Sequence, residues 1–424
     1  MHPHLWYPFT QAKTAPEPIK VKSGKGVWLT LETGEQILDC ISSWWVNIHG
    51  HAHPKIADGI AQQAHQLEHV IFAGFTHDPA EQLATQLVQC LPEPLTRVFY
   101  SDNGSTAVEV ALKMAYQYWC NRGTPRRTFL AFEGAYHGDT FGAMAVGERC
   151  IFTQAFEPLL FDVEFSPYPT THLHDTKTQD TEQAILAQIE QRLAQQPERY
   201  AAILIEPLVQ GAGGMRMGRS HFLQSLRRLA DTYNTLLIFD EVMTGFGRTG
   251  DWFACRKANV APDIICLSKG ITGGFMPLSV TICTESIYQG FYSDDPQQTL
   301  YHGHSYAANP LGCAAGLASL ALMAENESKF RQMETIHLKQ LHHLADHPRV
   351  VAPRVTGTIA AFDITTDNPG YLNNISLKVR ELAIAHRLLL RPLGNVLYIM
   401  PPYCITEDEL AFVYRGIQSI LDQI

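Results

Sequence analysis

Short apolar runs alternate with amphipathic stretches through the middle of the chain. The apolar runs cover residues 97–100, 128–132, 201–205, 235–239 and 264–267. Between several of them, apolar residues recur at helical spacings, over residues 106–119, 182–195 and 221–233. Continuous apolar strands that alternate with helices are typical of a parallel sheet covered on both faces. The pattern predicts an α/β fold with a large, mixed but mostly parallel sheet flanked by helices.

The two ends of the chain have a different pattern. Residues 27–41 alternate around a Glu-Thr-Gly turn, which predicts a hairpin. Beyond about residue 325, two short alternating runs and three helical stretches predict a smaller α+β domain; the runs are 356–364 and 396–400, and the helices 325–346, 373–387 and 406–423. We expect an N-terminal segment (1–55) that packs with this small domain (321–424), and a large domain (56–320) between them.

Composition narrows the class of protein. Charged residues make up 17% of the 424 residues, which argues against disorder, and the net charge of −10 argues against nucleic-acid binding. The nine cysteines are widely spaced without a CxxC pair, as expected for free thiols in a reducing compartment. The first residues lack the features of a secretion signal, and the most apolar stretch, 311–324, is too short to span a membrane. We expect a cytoplasmic protein without a membrane segment.

Two of the predicted strands are followed by residues suited to a phosphorylated, planar ligand. Gly104 and Ser105 open a predicted helix, where free N–H groups favour a phosphate. An ordinary helix cap is the alternative interpretation of these two residues. Tyr136, in a glycine-bracketed loop, is placed to stack on a flat ring, although a half-buried turn residue fits the same pattern.

Two further strands are followed by charged residues. Asp240 comes directly after the apolar run 235–239, where a carboxylate can pair with a protonated ring nitrogen. Lys269 lies between an apolar strand and a glycine-rich apolar stretch. Burial would lower the pKa of this lysine and free its amine for Schiff-base chemistry. A phosphate cup, a stacking ring, an aspartate and a lysine together indicate pyridoxal 5′-phosphate as the cofactor.

The segments IFDEVMTGFGRTG (238–250) and APDIICLSKGITGG (261–274) resemble the class-III, fold-type I aminotransferases that use pyridoxal 5′-phosphate. The resemblance implies that Lys269 bonds to the cofactor and moves protons, and that Asp240 keeps the ring nitrogen protonated. It also implies that Gly104 and Ser105 bind the phosphate and that Tyr136 lies over the ring.

Such enzymes are usually homodimers with active sites at the interface. By the same resemblance, His304 and Ser305 in the segment HGHSY would reach the phosphate bound by the partner subunit.

Further segments resemble the members of this family that aminate 8-amino-7-oxononanoate in biotin biosynthesis. They are HLWYPFT (4–10), SSWWVNIHGHAHP (42–54), YHGDTFGAM (136–144), IEPLVQGAGGM (205–215) and RPLGNVLYIMPPY (391–403). The resemblance implies that Trp44 contacts the aliphatic substrate and that Arg391 holds its distal carboxylate, which the guanidinium fork matches. Gly303 would line the same pocket, as would Tyr398.

The amino donor is open between two compounds. Members that use S-adenosylmethionine carry Tyr where this chain has Phe9, a position associated with substrate recognition. Phe9, together with the segment HGHSY, favours the relatives that use lysine. The wider resemblance implies S-adenosylmethionine as the donor, with lysine as the alternative.

Three other functions are weighed against this one. A class-III aminotransferase for ornithine or 4-aminobutyrate shares the Lys269 and Asp240 motifs, but not the Trp44-Trp45 pair. A metal-dependent hydrolase could use the histidines of the HxHxH segment 49–53 and of HGH 302–304, but no nearby carboxylate completes a ligand set, so we expect no metal. A silent binding protein would have no need of Lys269.

Overall fold

The structure, a computed structural model, describes residues 2–366 and 375–424. Its strands are β1 (Val21–Lys25), β2 (Trp28–Leu31), β3 (Gln36–Asp39), β4 (Leu95–Ser101), β5 (Thr128–Phe132), β6 (Glu164–Ser166), β7 (Tyr200–Ile205), β8 (Val209–Gln210), β9 (Arg216–Met217), β10 (Leu236–Asp240), β11 (Ile264–Leu267), β12 (Ser279–Thr284), β13 (Val350–Thr356), β14 (Ile359–Ile364), β15 (Leu388–Leu389) and β16 (Val396–Ile399).

The α-helices are α1 (Ser42–Trp45), α2 (Pro54–Gln66), α3 (Asp78–Cys90), α4 (Gly104–Asn121), α5 (Phe141–Ala145), α6 (Thr178–Gln195), α7 (Ser220–Thr232), α8 (Ala254–Ala258), α9 (Glu285–Gln289), α10 (Pro310–Glu325), α11 (Glu327–Ala345), α12 (Ile375–Ala385) and α13 (Glu407–Leu421). Short 3₁₀ helices cover Gln154–Leu159, Lys269–Thr272 and Pro296–Gln298.

A seven-stranded sheet with the order β4-β12-β11-β10-β7-β5-β6 forms the centre of the large domain. β12 is antiparallel to both of its neighbours, and the other neighbouring pairs are parallel. Strands β7, β11 and β12 are buried along their whole length. The predicted mixed, mostly parallel sheet is confirmed, although the sequence pattern did not predict β12 or the short edge strand β6. The carboxyl ends of β4, β5, β7, β10 and β11 all reach one edge.

One smaller sheet connects the two ends of the chain, and another lies wholly in the C-terminal part. The predicted N-terminal hairpin is formed by β2 and β3, and β3 pairs in parallel with β15 from the C-terminal part. β13, β14 and β16 form an antiparallel sheet. β14 lies within the predicted alternating run 356–364, but the strand begins only at Ile359, because Gly357, with φ +59°, turns the chain between β13 and β14. Of the predicted helix 373–387, residues 373–374 lie outside the described residues, and α12 covers Ile375–Ala385.

One large buried apolar cluster runs through both the large sheet and the C-terminal elements, with Phe239 of β10 and Phe362 of β14 among its members. The three-unit division at residues 55 and 320 stays a prediction. Among the helices of the described residues, none combines the length and the apolar character that crossing a membrane requires.

Candidate active site

A cavity of about 1040 Å³ opens at the carboxyl-end edge of the large sheet. Ligands of open α/β sheets bind at this edge, because loops leave there and helix N-termini point toward it. Seven of the predicted site residues line the cavity: Phe9, Trp44, Gly104, Ser105, Tyr136, Asp240 and Lys269. The fold therefore brings together residues that are up to 260 positions apart in the sequence.

Asp240 ends β10 and is buried. Its Oδ2 lies 2.7 Å from Nδ1 of the buried His137, and its Oδ1 accepts a hydrogen bond of 3.0 Å from the N–H of Val242. These bonds fix the carboxylate plane and leave lone pairs on both oxygens. Asp240 can therefore hold a protonated ring nitrogen. His137 was not predicted as the partner of Asp240, although it stands next to Tyr136 in the sequence.

Lys269 follows β11 with a left-handed backbone, φ +47°, and its Nζ lies 5.0 Å from the centre of the Trp45 ring. Burial lowers the pKa of this lysine below its ordinary value, although the negative charges of Asp240 and Glu206 act in the opposite direction. The neutral amine that burial favours is the nucleophilic form.

Glu206 is buried directly after β7 and ties two loops of the cavity together. Its Oε1 accepts a hydrogen bond of 3.1 Å from the N–H of Tyr136, and its Oε2 accepts one of 2.9 Å from the N–H of Gly211. Burial, with a further contribution from Asp240, raises the pKa of Glu206 to about 7. Sequence reasoning missed Glu206, but its signal was the one used for Asp240: an acid directly after a buried strand.

The start of α4 forms an anion cradle. Helix α4 begins at Gly104, and the N-cap Asn103 accepts a hydrogen bond of 3.1 Å from the N–H of Thr106. The cap of α4 is therefore Asn103 and not Gly104 or Ser105, whose N–H groups belong to the unpaired first turn of the helix. A Cβ at Gly104 would lie 2.6 Å from Cγ1 of Val242, so the close approach requires glycine here.

These groups fit pyridoxal 5′-phosphate. The first turn of α4 suits its phosphate, Asp240 its ring nitrogen, and Lys269 its carbonyl carbon. Tyr136, on the loop that follows β5, lines the same cavity as these groups.

A left-handed turn presents two tryptophans to the cavity. The four residues Ser42–Trp45 have φ values of +50°, +46°, +76° and +76°, a region that non-glycine residues rarely occupy. Strain of this kind persists only where surrounding contacts fix it. Buried Asp39 supplies such contacts: its Oδ1 accepts from the N–H of Ile41 at 3.1 Å, and its Oδ2 accepts from Oγ of Ser43 at 2.7 Å.

Aromatic and cationic groups meet at the Trp44 ring. Phe9 lies edge-on to Trp44, with their ring centres 5.6 Å apart. The guanidinium carbon of Arg391 lies 4.6 Å from the centre of the same ring. Arg391 does not itself line the cavity, but it lies beside a residue that does.

Besides Arg391, four predicted site residues lie away from the cavity lining. Tyr398 is buried behind the wall, where its hydroxyl accepts a hydrogen bond of 2.9 Å from Nε1 of Trp45. Gly303 and Ser305 are exposed, and His304 lies 3.8 Å from Asp102, measured from Nε2 to Oδ1. Asp102 itself lines the cavity, so this loop lies next to the phosphate cradle.

The histidines of the HxHxH segment have separate partners. His49 Nε2 lies 3.0 Å from Oγ of Ser319, and His51 Nε2 lies 2.9 Å from Oδ2 of Asp39. In residues 2–366 and 375–424, no group of three side chains is placed to bind a metal ion.

Comparison with known proteins identifies the family. Residues 9–421 match the model of the family described as "Aminotransferase class-III". The chain belongs to the class-III aminotransferases. Enzymes of this class use pyridoxal 5′-phosphate, in agreement with the cofactor groups above.

Relatives of this aminotransferase carry a more specific name. A protein of Synechococcus elongatus, "Adenosylmethionine-8-amino-7-oxononanoate aminotransferase", is 61% identical over 423 residues, which cover 100% of this chain and 99% of the relative. A protein of the same name from Geobacter sulfurreducens is 39% identical and covers 99% and 96% of the two chains.

Solved structures share the fold over nearly the whole chain. A crystal structure of an adenosylmethionine-8-amino-7-oxononanoate aminotransferase from Methanocaldococcus jannaschii has a TM-score of 0.92 at 32% identity, covering 99% of this chain and 97% of the other. A PLP-bound amine transaminase from an uncultivated Pseudomonas species has a TM-score of 0.92 at 31% identity, covering 100% and 99%. Membership of the class-III aminotransferases contradicts two of the alternatives, a metal-dependent hydrolase and a binding protein without catalytic activity.

Proposed function

We propose that this aminotransferase transfers an amino group to 8-amino-7-oxononanoate and forms 7,8-diaminononanoate, a step of biotin biosynthesis. The observation that carries the proposal is the contact of Arg391 with Trp44, which lines the cavity that contains Lys269. A keto acid with a long alkyl chain needs an apolar wall along the chain and a cation for its distal carboxylate. The names of the relatives from Synechococcus and Geobacter support the same substrate.

The aromatic wall is suited to an aliphatic chain. Phe9 contacts both Trp44 and Phe152, at ring-centre distances of 5.6 and 6.0 Å, and all three residues line the cavity. Apolar contact of this kind contributes roughly 25 cal/mol for each Å² removed from water. An ornithine- or 4-aminobutyrate-type substrate is shorter and more polar, and would leave this wall without a partner.

The catalytic roles follow from the positions of three side chains. Pyridoxal 5′-phosphate, when bound, supplies a carbonyl that condenses with amines and a ring that withdraws electrons. Lys269 provides a neutral amine that can hold the cofactor and then move a proton at the reacting carbon. Asp240, oriented by His137, would stabilise positive charge on the ring nitrogen. Tyr136, whose N–H is held by Glu206, would cover the ring.

The proposed amino donor is S-adenosylmethionine, with lysine as the second candidate. The names of the relatives support S-adenosylmethionine. Phe9 supports lysine, because it lacks the hydroxyl of the Tyr that members using S-adenosylmethionine carry at this position.

We further propose that the enzyme is a homodimer in the cytoplasm. The loop with Gly303, His304 and Ser305 lies beside Asp102 and is flanked by Tyr301 and Tyr306, which are 74% and 65% exposed. Coverage of such tyrosines by a second subunit would bring this loop to the partner's phosphate site. All nine cysteines are free thiols, which suits a reducing compartment.

The experiment that tests the substrate uses the holoenzyme and 8-amino-7-oxononanoate. With S-adenosylmethionine present, the product 7,8-diaminononanoate should accumulate and be detected by mass spectrometry. Arg391→Gln should raise the acceptor KM by about 10- to 150-fold, the equivalent of one charged hydrogen bond. An unchanged KM, or turnover of ornithine and 4-aminobutyrate instead, would contradict the proposal.

A further inference from the structure

The backbone of Lys269 is strained. Its φ of +47° lies in the left-handed region, which residues other than glycine rarely occupy. Lys269 begins the 3₁₀ helix Lys269–Thr272, a single short turn that has few hydrogen bonds of its own. Strain of this kind persists only where the surrounding structure fixes it. Contacts from outside the turn must therefore hold the backbone that carries the reactive amine.

The carbonyl of Gly270, the residue after Lys269, receives such a contact from helix α10. Oγ of Ser319 donates a hydrogen bond of 3.0 Å to this carbonyl oxygen. Ser319 is fully buried, so its hydroxyl is shielded from bulk water. The bond ties the strained turn to a helix of 16 residues, which is far more rigid than the turn itself.

His49 lies on the other side of Ser319 and holds its hydroxyl. Nε2 of the buried His49 lies 3.0 Å from Oγ of Ser319. A serine hydroxyl has one hydrogen, and here that hydrogen points to Gly270, so His49 is the donor and carries a proton on Nε2. Burial lowers the pKa of His49 to about 3, so the ring is neutral and holds this one proton. Among the described residues, Nδ1 of His49 has no hydrogen-bond partner.

The ring of His49 also packs against the other end of the same turn. Gly273, which follows the 3₁₀ helix, has φ +61°, and a Cβ there would lie 2.9 Å from Cδ2 of His49. The turn is therefore held at Gly270 by a hydrogen bond and at Gly273 by direct packing. Both contacts involve His49, one through Ser319 and one through its own ring.

We infer that Ser319 and His49 are positioning residues for Lys269: through the carbonyl of Gly270 they fix the backbone from which the reactive amine extends. Neither side chain lines the cavity, so both act through Lys269 and not on a substrate. The inference rests on the role proposed for Lys269 and is independent of which substrates react. It also gives a function to His49, whose HxHxH segment suggested a metal site in the sequence.

The first test follows the reaction of Lys269 with the cofactor in the absence of any substrate. When saturating pyridoxal 5′-phosphate is added back to the cofactor-free enzyme, the lysine amine forms a C=N bond with its carbonyl, water leaves, and the yellow band appears. Ser319→Ala should slow this step by about 10- to 100-fold, because a misplacement of about 1 Å has an effect of that size. Ser319→Thr keeps the hydroxyl and should recover most of the rate, whereas Ser319→Cys offers only a weak donor and should not.

The second test measures both half-reactions of the holoenzyme in single turnovers. Because Lys269 serves both, Ser319→Ala should lower the two rate constants at saturating substrate by similar factors. The substrate concentrations for half-maximal rate should change less than about threefold, since binding is not affected. A misfolded fraction would lower the amplitude of the absorbance change but not its rate constant. Ser328→Ala, an exposed serine of α11, is the matched control and should behave as wild type.

A variant of His49 separates the two positioning residues. His49→Phe removes the donor to Ser319 and should slow the same steps by a smaller factor, since Ser319 keeps its bond to Gly270. Rate constants of Ser319→Ala within about threefold of wild type, or equal rate constants in Ser319→Cys and Ser319→Thr, would overturn the inference. Wild-type enzyme that forms the yellow band but reacts with neither substrate would overturn the proposed function alone, because the first test needs no substrate.

Discussion

His137 Nδ1 lies 2.7 Å from Oδ2 of Asp240, and both side chains are buried. The second oxygen of Asp240 accepts the N–H of Val242 at 3.0 Å. The aspartate thus has one orientation, and its charge faces the cavity in which the cofactor ring is expected. A charged hydrogen bond in such an environment contributes about 1.5–3 kcal/mol.

Asp240→Asn should lower kcat by about 10- to 150-fold, since the amide cannot stabilise a protonated ring nitrogen with a full charge. Steady-state kinetics with saturating cofactor measure this effect. Asp346→Asn, which changes an exposed aspartate after α11, should leave kcat unaltered. Wild-type kcat in Asp240→Asn would remove Asp240 from its proposed role.

Lys269→Ala should reduce turnover by at least about 10²–10⁴-fold, because the variant lacks the amine that moves the proton. The measurement pairs turnover with the visible spectrum, which reports whether the cofactor is bound. Lys339→Ala, an exposed lysine of α11, is the control. Normal turnover in Lys269→Ala with bound cofactor would show that another group does this chemistry.

Asp39→Ala should destabilise the fold by about 3 kcal/mol, because three groups lose a buried acceptor: the N–H of Ile41, Oγ of Ser43 and the ring of His51. The left-handed turn Ser42–Trp45 depends on this carboxylate. Denaturant unfolding measures the loss, with the exposed Asp58→Ala as the control. A change below about 0.5 kcal/mol would mean that the turn is held by its other contacts alone.

Glu241 predicts a pH dependence of stability. It is buried and accepts the N–H groups of Ala254 and Cys255 at 2.7 Å, and burial raises its pKa to about 7. Between pH 4.5 and 7, the folded protein therefore holds a proton that the unfolded chain has released, so stability falls as the pH rises.

Glu241→Gln should remove this contribution to the pH slope. The free energy of unfolding of wild type, minus that of the variant, should decrease by roughly 3 kcal/mol from pH 4.5 to 7. Denaturant unfolding at several pH values measures the difference. A difference that stays constant or grows over this range would contradict the raised pKa.

Much of the large domain could be predicted from the sequence, because its buried strands are short, apolar and separated by helices with a clear period. β5 and β11 have the predicted bounds. β12 was missed because it follows the glycine-rich stretch after Lys269 without a helix between them, and alternation was the signal used. β14 lies within the predicted run 356–364, but β13 was missed because Gly357 was not recognised as a turn between two strands.

The site could be predicted where each residue follows a strand end, as Asp240 and Lys269 do. Contacts between segments that are distant in the sequence could not be predicted. The local sequence pattern does not predict the contact of His137 with Asp240 or that of Arg391 with Trp44. Nor does it predict that Asp39 holds a left-handed turn. These contacts depend on how loops from different strands meet. The histidines of 49–53 indicated a possible metal site, but the ring of His51 forms a hydrogen bond with Asp39 instead.

The most direct test of the central claim is the visible spectrum of the purified holoenzyme during a complete cycle. The account predicts a yellow absorption band that disappears on addition of S-adenosylmethionine alone and returns when 8-amino-7-oxononanoate is added. Disappearance with lysine alone would keep the acceptor and change the donor. A band that neither donor affects, or that 8-amino-7-oxononanoate does not restore, would contradict the proposed function.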